Sequence, residues 1–356
     1  MIAETSFTKD WLLTVNTKLG WNRQEAQLKN LEKAIAALHL LECLVNAELN
    51  FIFKGGTSLI LLLDKIHRLS VDIDVIVEEP IVNTEATFSR VCTESKIFSR
   101  VEKQEREIDE VFDTEHYKFY YQPFADDADE SYILLDLYYI ASPYAKTMEL
   151  EITSDILSTD GTNARVRTPD IDSILGDKLT AFAPTTIGIS LSAEPGHRPK
   201  RVEVLKQLYD IGNLFDRAEN ASAILASYNA VATHEIEKFG LTITPEDVLK
   251  DSAHYALIIG HGGKTEKQQY DTIAKGFKDF NKFVSDLSFD ENQAILAAAK
   301  VAYLVKILLS DGNTLEKYDN TVDILQWEIS GKEFADFNDY KYSNPEAFFY
   351  WVKALG

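Results

Sequence analysis

The segment from Phe51 to Val77 constrains this chain more than any other. An apolar run, Phe51-Ile52-Phe53, passes directly into Lys54-Gly55-Gly56-Thr57-Ser58, and one short helix later the chain enters Arg68-Leu69-Ser70-Val71-Asp72-Ile73-Asp74-Val75. Strand, glycine turn, helix and strand in such quick succession predict an α/β layer. Asp72 and Asp74 lie two apart, so a strand presents both carboxylates on one face and turns Ile73, Val75 and Val77 to the other. Two acids in a row beside a buried strand are costly unless a cation or hydrogen bonds compensate them. A Mg²⁺ ion shared with the oxygens of a triphosphate is a direct compensation.

The glycine pair supplies the other half of such a site. Gly55-Gly56 lets the backbone turn tightly and approach a ligand, Ser58 adds a hydroxyl, and the helix that starts there points the positive end of its dipole at bound phosphate. Singly, Gly-Gly is most often an ordinary strand-to-helix turn, and Asp-x-Asp the solvated face of an edge strand. A phosphate cradle followed so closely by a carboxylate pair is much rarer by chance than either part.

Around this unit the periodicity lays out the rest of the chain. Leu28, Leu31, Ile35, Leu38, Leu41, Val45 and Leu49 form the stripe of an amphipathic helix from Asn22 to about Asn50, with Lys29, Glu32, Lys33 and Glu42 mostly off it. Thr57 to Ile66 reads as a helix and Val71 to Val77 as a strand. Tyr117 to Tyr121, Tyr132 to Tyr139 and Met148 to Thr153 read as further strands, the first two joined as a hairpin through Pro123-Phe124-Ala125-Asp126-Asp127. The expected architecture is therefore α/β, a mixed sheet with flanking helices, followed by a helical C-terminal domain. Ile171 to Ala183, Val202 to Ala218, Ala221 to Phe239, Gln268 to Leu287 and Glu291 to Leu309 have helical spacing, and Ser288 with Glu291 predicts a capping box. The expected division is 1–165 for the sheet domain with its N-terminal helices and 166–356 for the helical one.

Composition narrows the function classes. With 45% hydrophobic and 26% charged residues, nothing points to disorder, collagen or coiled coil. The net charge of −21 opposes the habit of nucleic-acid binders, so a nucleic-acid substrate requires a local basic patch on an acidic body. Lys200, Arg201 and Lys206, with His197 and Arg198 nearby, form the clearest such cluster, although Glu203 interrupts it and a solvated helix end explains it equally well. Cys43 and Cys92 are too few for a disulfide framework or a structural zinc site. The N-terminus has no secretory pattern, and continuous apolar runs such as Leu59 to Leu63 fall far short of the roughly 20 residues that span a bilayer. The expectation is a cytoplasmic protein with no membrane partner.

Lys54-Gly55-Gly56-Thr57-Ser58-Leu59 followed by Arg68-Leu69-Ser70-Val71-Asp72-Ile73-Asp74 resembles the AbiEii/AbiGii toxin family of nucleotidyltransferases, which includes the MenT-type toxins of bacterial toxin–antitoxin systems. The similarity continues in Gly176-Asp177-Lys178-Leu179-Thr180-Ala181-Phe182 and in Lys206-Gln207-Leu208-Tyr209-Asp210-Ile211, and spans roughly Ala36 to Phe215. Gln207 departs from the pattern, standing where an acidic residue is common. The resemblance implies transfer of a nucleoside monophosphate from an NTP to a hydroxyl with release of pyrophosphate, Mg²⁺ or Mn²⁺ as cofactor, the tRNA 3′ end as acceptor and an antitoxin as partner. A protein or small-molecule acceptor, or an inactive domain that binds only nucleotide or antitoxin, are the alternatives.

By the same resemblance Gly55, Gly56, Thr57, Ser58 and Arg68 bind the nucleotide, and Lys178 faces its phosphates and Asp210 is functional. As plain chemistry, Lys178 reads as a surface lysine pointing off the apolar stripe of its helix, and Asp210 as an intrahelical partner of Lys206. A third carboxylate is expected beside the Asp72 strand. Asp136, a lone acid in Ile133-Leu134-Leu135-Asp136-Leu137-Tyr138, is the candidate; Asp113, Glu149 and Glu151 are less well placed. Three other patterns are set aside. Asp170-Ile171-Asp172 follows Thr168-Pro169 and reads as helix caps. Gly262-Gly263-Lys264-Thr265 lacks the first glycine of a phosphate loop, since Ile258 stands there, and reads as a turn. The seven histidines show no zinc spacing, and His39 reads as a structural residue of the long N-terminal helix.

Overall fold

The computed structural model describes residues 1–21, 25–104, 114–126, 129–192, 199–284, 288–310 and 312–356. Asn22, Asp113, Asp127, His197 and Arg198, which figure in the sequence reading, lie outside the described residues. The chain divides into two compact units. The first comprises 1–142, 147–170 and 282–287, the second 143–146, 171–281 and 288–356.

The first unit contains helices α1 (Lys9–Lys18), α2 (Glu25–Asn46), α3 (Gly55–Leu62) and α4 (Thr84–Glu94). Its strands are β1 (Ile52–Lys54), β2 (Ile73–Ile76), β3 (Phe98–Gln104), β4 (Thr114–Tyr121), β5 (Ser131–Tyr138), β6 (Thr147–Glu151) and β7 (Arg165–Pro169). Five of them make a sheet in the order β1-β2-β5-β4-β3, with β2 and β5 parallel and the other neighbours antiparallel. The mixed sheet is as expected. β6 leaves it, however, and pairs with β7 in a separate two-stranded sheet. Such long-range pairing has no local signature. Ile73, Val75, Leu135, Leu137 and Phe119 are all buried, which fixes the apolar face and leaves Asp74 and Asp136 on the opposite one.

On α2 the middle of the predicted stripe, Leu31, Ile35, Leu38 and Leu41, is fully enclosed; Leu28 and Val45 are half-buried, and Leu49 lies past the end of the helix. Glu32 and Glu42 are nevertheless buried too, at 3% exposure each. Each carboxylate satisfies main-chain donors that a core would otherwise strand. Glu32 accepts from the Tyr121 hydroxyl at 2.8 Å and from Phe124 N–H at 2.9 Å, anchoring the β4–β5 turn; Glu42 accepts from Ile2 N–H at 2.8 Å. His39 is buried beside Glu42, at 3.4 Å, in the structural role expected of it. Burial pushes the Cys43 thiol up to about 12 and that of Cys92 up to about 11, so neither is a poised nucleophile.

The second unit is helical: α5 (Ile171–Ala181), α6 (Arg201–Phe215), α7 (Ala221–Lys238), α8 (Pro245–Gly260), α9 (Lys267–Ala274), α10 (Phe277–Phe280), α11 (Glu291–Leu309), α12 (Tyr340–Ser343) and α13 (Pro345–Leu355). α5 packs on α7 through Gly176, where a Cβ would come within 2.6 Å of the Ile224 carbonyl oxygen. α11 is long and apolar enough to cross a membrane by length and composition alone, yet 72% of its apolar window is buried inside the protein, where it packs on α6, α8 and α13.

Several boundaries shift for identifiable reasons. The helix expected over Gln268 to Leu287 breaks into α9 and α10 around Gly276, where a Cβ would come within 2.8 Å of Leu205 Cδ1 and 3.0 Å of Arg201 Cγ of α6. Beyond it, 282–284 belongs to the first unit, where Val284 forms a β-bridge with Arg68, and the end of the expected helix, 285–287, lies outside the described residues. The N-cap of α11 is Asp290, which accepts from Gln293 N–H, in place of the box predicted from Ser288. A true capping box sits at Thr244 and Asp247, ahead of α8, a helix absent from the sequence reading although Val248, Leu249, Tyr255, Ala256 and Ile259 recur at helical spacing. Asp172 does not cap its own helix; it accepts from Glu219 and Asn220 N–H at 2.9 and 3.2 Å, tying α5 to the start of α7.

Candidate functional site

In the first unit the sheet register builds the site. Lys54 pairs with Asp74, Asp74 with Asp136, and Asp136 with His116, so one row across β1, β2, β5 and β4 carries two carboxylates flanked by two basic side chains. Neighbouring strands lie about 4.8 Å apart, which makes Asp74 and Asp136 immediate neighbours on one face. His116 Nδ1 lies 2.6 Å from Asp136 Oδ1. At the other end of the row Lys54 Nζ stands 5.2 Å from the centre of the Tyr138 ring. Asp72, just before β2, is exposed, and Asp74 is half-buried.

The glycine turn is fitted to this row. Gly55 has φ +79°, and a Cβ there would lie 2.9 Å from Asp74 Cγ, so the main chain passes directly against the carboxylate. A Cβ at Gly56 would come within 2.6 Å of Arg68 Nη2 and 2.8 Å of Ser70 Oγ. Arg68 is buried at 6% exposure, with Nη1 donating to the Leu69 carbonyl at 3.1 Å. The segment carrying it is held by Leu69 N–H, which donates to the Phe283 carbonyl at 2.8 Å. Thr57 and Ser58 are fully buried and act on the protein itself. The Thr57 hydroxyl donates to the Asp72 carbonyl at 2.5 Å and that of Ser58 to the Gly55 carbonyl at 2.8 Å. These bonds clamp the first turn of α3 to the entry of β2. A ligand at the helix start therefore meets the main chain of the glycine turn, which is the part suited to phosphate.

In the second unit α5 and α6 bring Lys178 and Asp210 together. Lys178 Nζ is 3.1 Å from Asp210 Oδ2, with side-chain exposures of 8% and 2%. The surface lysine of the sequence reading is thus a buried one, and Asp210 pairs across to α5. Nearby on α6, the buried Oε1 of Gln207 has no hydrogen-bond partner. Lys200 is exposed and Arg201 and Lys206 half-buried at the start of α6.

A divalent cation is the cofactor that the sequence implies, and the donor chemistry suits one: Asp74 and Asp136 present hard carboxylate oxygens as paired residues of neighbouring strands on one face, with Asp72 just ahead of β2. Among the described residues no three His, Cys, Asp or Glu side chains already stand clustered as a metal site. Asp136 is instead drawn to His116. That histidine is the functional candidate the sequence reading passes over; its only signal is the β4–β5 hairpin register, which sets it opposite Asp136. Glu149 and Glu151 lie on β6, outside the five-stranded sheet, where Arg165 of β7 answers both.

The sequence profile described as Nucleotidyl transferase AbiEii toxin, Type IV TA system, matches residues 39–297. No curated protein matches the chain significantly. Among solved structures, MenT4, a nucleotidyltransferase toxin from Mycobacterium tuberculosis H37Rv, is similar at 15% identity with a TM-score of 0.47, over 83% of this chain and 98% of that one.

Proposed function

The chain belongs to the AbiEii family of nucleotidyltransferase toxins of type IV toxin–antitoxin systems, and from that premise we propose that it transfers a nucleoside monophosphate from an NTP to the 3′ end of tRNA, with Mg²⁺ or Mn²⁺ as cofactor. Transfer of this kind stops translation, and it places the protein in the cytoplasm beside its antitoxin. The observation that carries the reading is the register that sets Asp74 beside Asp136 with the Gly55 main chain against Asp74.

In this mechanism Asp72, Asp74 and Asp136 hold the cation. Bound there, it supplies neutralisation of phosphate charge and lowers the pKa of the attacking hydroxyl. The acceptor oxygen attacks the α-phosphorus in line and pyrophosphate departs, so positioning and electrostatics do most of the work. The Gly55-Gly56 main chain cradles phosphate at the start of α3, with the Arg68 guanidinium packed against Gly56. Thr57 and Ser58 keep that turn in shape through their bonds to Asp72 and Gly55. Lys178 offsets charge on the leaving pyrophosphate, and Asp210 holds the lysine.

The test incubates the protein with Mg²⁺, each α-labelled NTP in turn and total bacterial tRNA, beside an Asp72→Ala control. Label in tRNA that depends on Asp72 supports the reading; label on tRNA with the variant overturns the assignment of Asp72. The net charge of −21 favours a second reading, transfer to a protein side chain, in which label appears on protein and not on tRNA.

A further inference from the structure

We propose that His116 is a positioning residue for the transfer reaction, acting through its hydrogen bond to Asp136; the inference rests on Asp136 being the third cation-binding carboxylate. Three observations carry it. The contact is short, 2.6 Å from Nδ1 to Oδ1, as befits a bond to an ionised acceptor. It is shielded, with side-chain exposures of 8% for His116 and 14% for Asp136, so water competes weakly for either group. It is also built into the fold: His116 and Asp136 are direct cross-strand partners in a β4–β5 register that runs unbroken from Thr114 and Tyr138 to Tyr121 and Ser131.

A polar pair in so enclosed a place needs a reason, because apolar side chains of similar size would pack there at equal or lower cost. The reason lies in what the bond does to the carboxylate. Asp136 hangs from a strand by a side chain with two rotatable bonds, and a cation ligand must present its oxygen in a fixed direction. With Nδ1–H holding Oδ1, rotation about the second of those bonds is restrained, and the orientation is set before any cation arrives. Partners of this type behind a ligating carboxylate are worth about 10–100-fold in metal affinity or activity. Lys54, opposite Asp74 at the other end of the row, gives that carboxylate a basic neighbour of its own.

The test uses the full chain and the variants His116→Ala, His116→Asn and Asp136→Ala. Mn²⁺ affinity of the protein alone is followed by electron paramagnetic resonance of the free ion, without NTP or acceptor. Transfer from labelled NTP to total tRNA then gives kcat and KM, and thermal melting reports the fold. His116→Ala is expected to weaken Mn²⁺ binding and lower kcat by about 10–100-fold with KM for NTP unchanged. In His116→Asn, Nδ2 replaces the lost donor, and most of both losses is recovered. Wild-type Mn²⁺ affinity in His116→Ala, with affinity lost in Asp136→Ala, overturns the role of His116 and leaves Asp136 standing. Wild-type affinity and kcat in Asp136→Ala overturn the reading of Asp136 and the inference with it. A drop in melting temperature shared by both His116 variants, with no rescue by Asn, makes the histidine a fold residue and likewise overturns the proposal.

Discussion

The acids of the first unit and the ion pair of the second hold charge in opposite ways. Asp72 is exposed just ahead of β2 and Asp74 half-buried on the polar face of a sheet whose other face is core, whereas Lys178 and Asp210 are enclosed between helices. A carboxylate on a strand face can be removed without opening the core behind it. A buried pair is part of the packing, and losing one member strands the other. Under the proposed function, activity and stability are therefore separable in the first unit and entangled in the second.

The sharpest break of this contrast is Asp72→Ala. Its main-chain carbonyl still accepts from Thr57, so the strand entry keeps its clamp. Stability should move by no more than about 0.5 kcal/mol, as for other exposed positions. Charge stabilisation of several kcal/mol is lost from the reaction, and at about 1.4 kcal/mol per tenfold the rate should fall about a thousandfold. Transfer within tenfold of wild type would remove Asp72 from the mechanism. In the second unit Lys178→Met should instead cost about 3–5 kcal/mol in denaturant unfolding, because Asp210 stays buried without its lysine. The double variant Lys178→Met/Asp210→Leu should recover stability and remain inactive. Recovery of activity together with stability would make the pair structural only.

Gly55→Ala tests where the two kinds of effect meet within the first unit. The residue needs φ +79°, which costs an L-residue about 1–2 kcal/mol, and its new Cβ would press on the Asp74 carboxylate. Unfolding free energy should fall by at least that amount, with a lower melting temperature, and transfer should fall as well, since Asp74 must move. A variant that melts early yet transfers normally would show that Asp74 tolerates displacement.

How much of this was legible from the residues depended on how local each feature is. The middle of the α2 stripe, the extent of α11 and the facing of Asp74 follow from periodicity, and the structure reproduces them; the expected strand Val71 to Val77 is shorter, beginning at Ile73, so Asp72 stands just ahead of it. β3 was not legible because an edge strand needs little apolar alternation; of Phe98–Gln104 only Phe98 is buried. The departure of β6 to pair with β7, the burial of Lys178 and the contact of His116 with Asp136 all depend on residues distant in sequence. Glu32 looked like solvent-facing charge because nothing in α2 shows that a hairpin turn will bring it main-chain donors. The start of α8 is the opposite case. Thr244-Pro245-Glu246-Asp247 carries a full start signal, a capping box with proline in the first turn, and the helical spacing of Val248, Leu249, Tyr255, Ala256 and Ile259 follows it, so this helix was legible from local residues.

The smallest expected effect concerns the other end of the helix that carries Asp210. The Lys317 ammonium donates to the Phe215 carbonyl at the C-terminus of α6 and stands 3.8 Å from the centre of the Phe215 ring. There it answers the negative end of the helix dipole, so the position favours a cation. Burial opposes this and pushes its pKa down to about 8 from 10.5, against the pull of Asp216 and with the help of Lys300. Between those two values the unfolded chain keeps a proton that the folded protein has released. Stability should therefore rise with pH from about 8 to 10.5, while below that window this group adds no pH dependence. Lys317→Met should flatten the rise. Denaturant unfolding of both proteins across the window measures it, and parallel curves would mean that Lys317 stays charged on the end of α6, its cation held by the carbonyl and ring more firmly than burial weakens it.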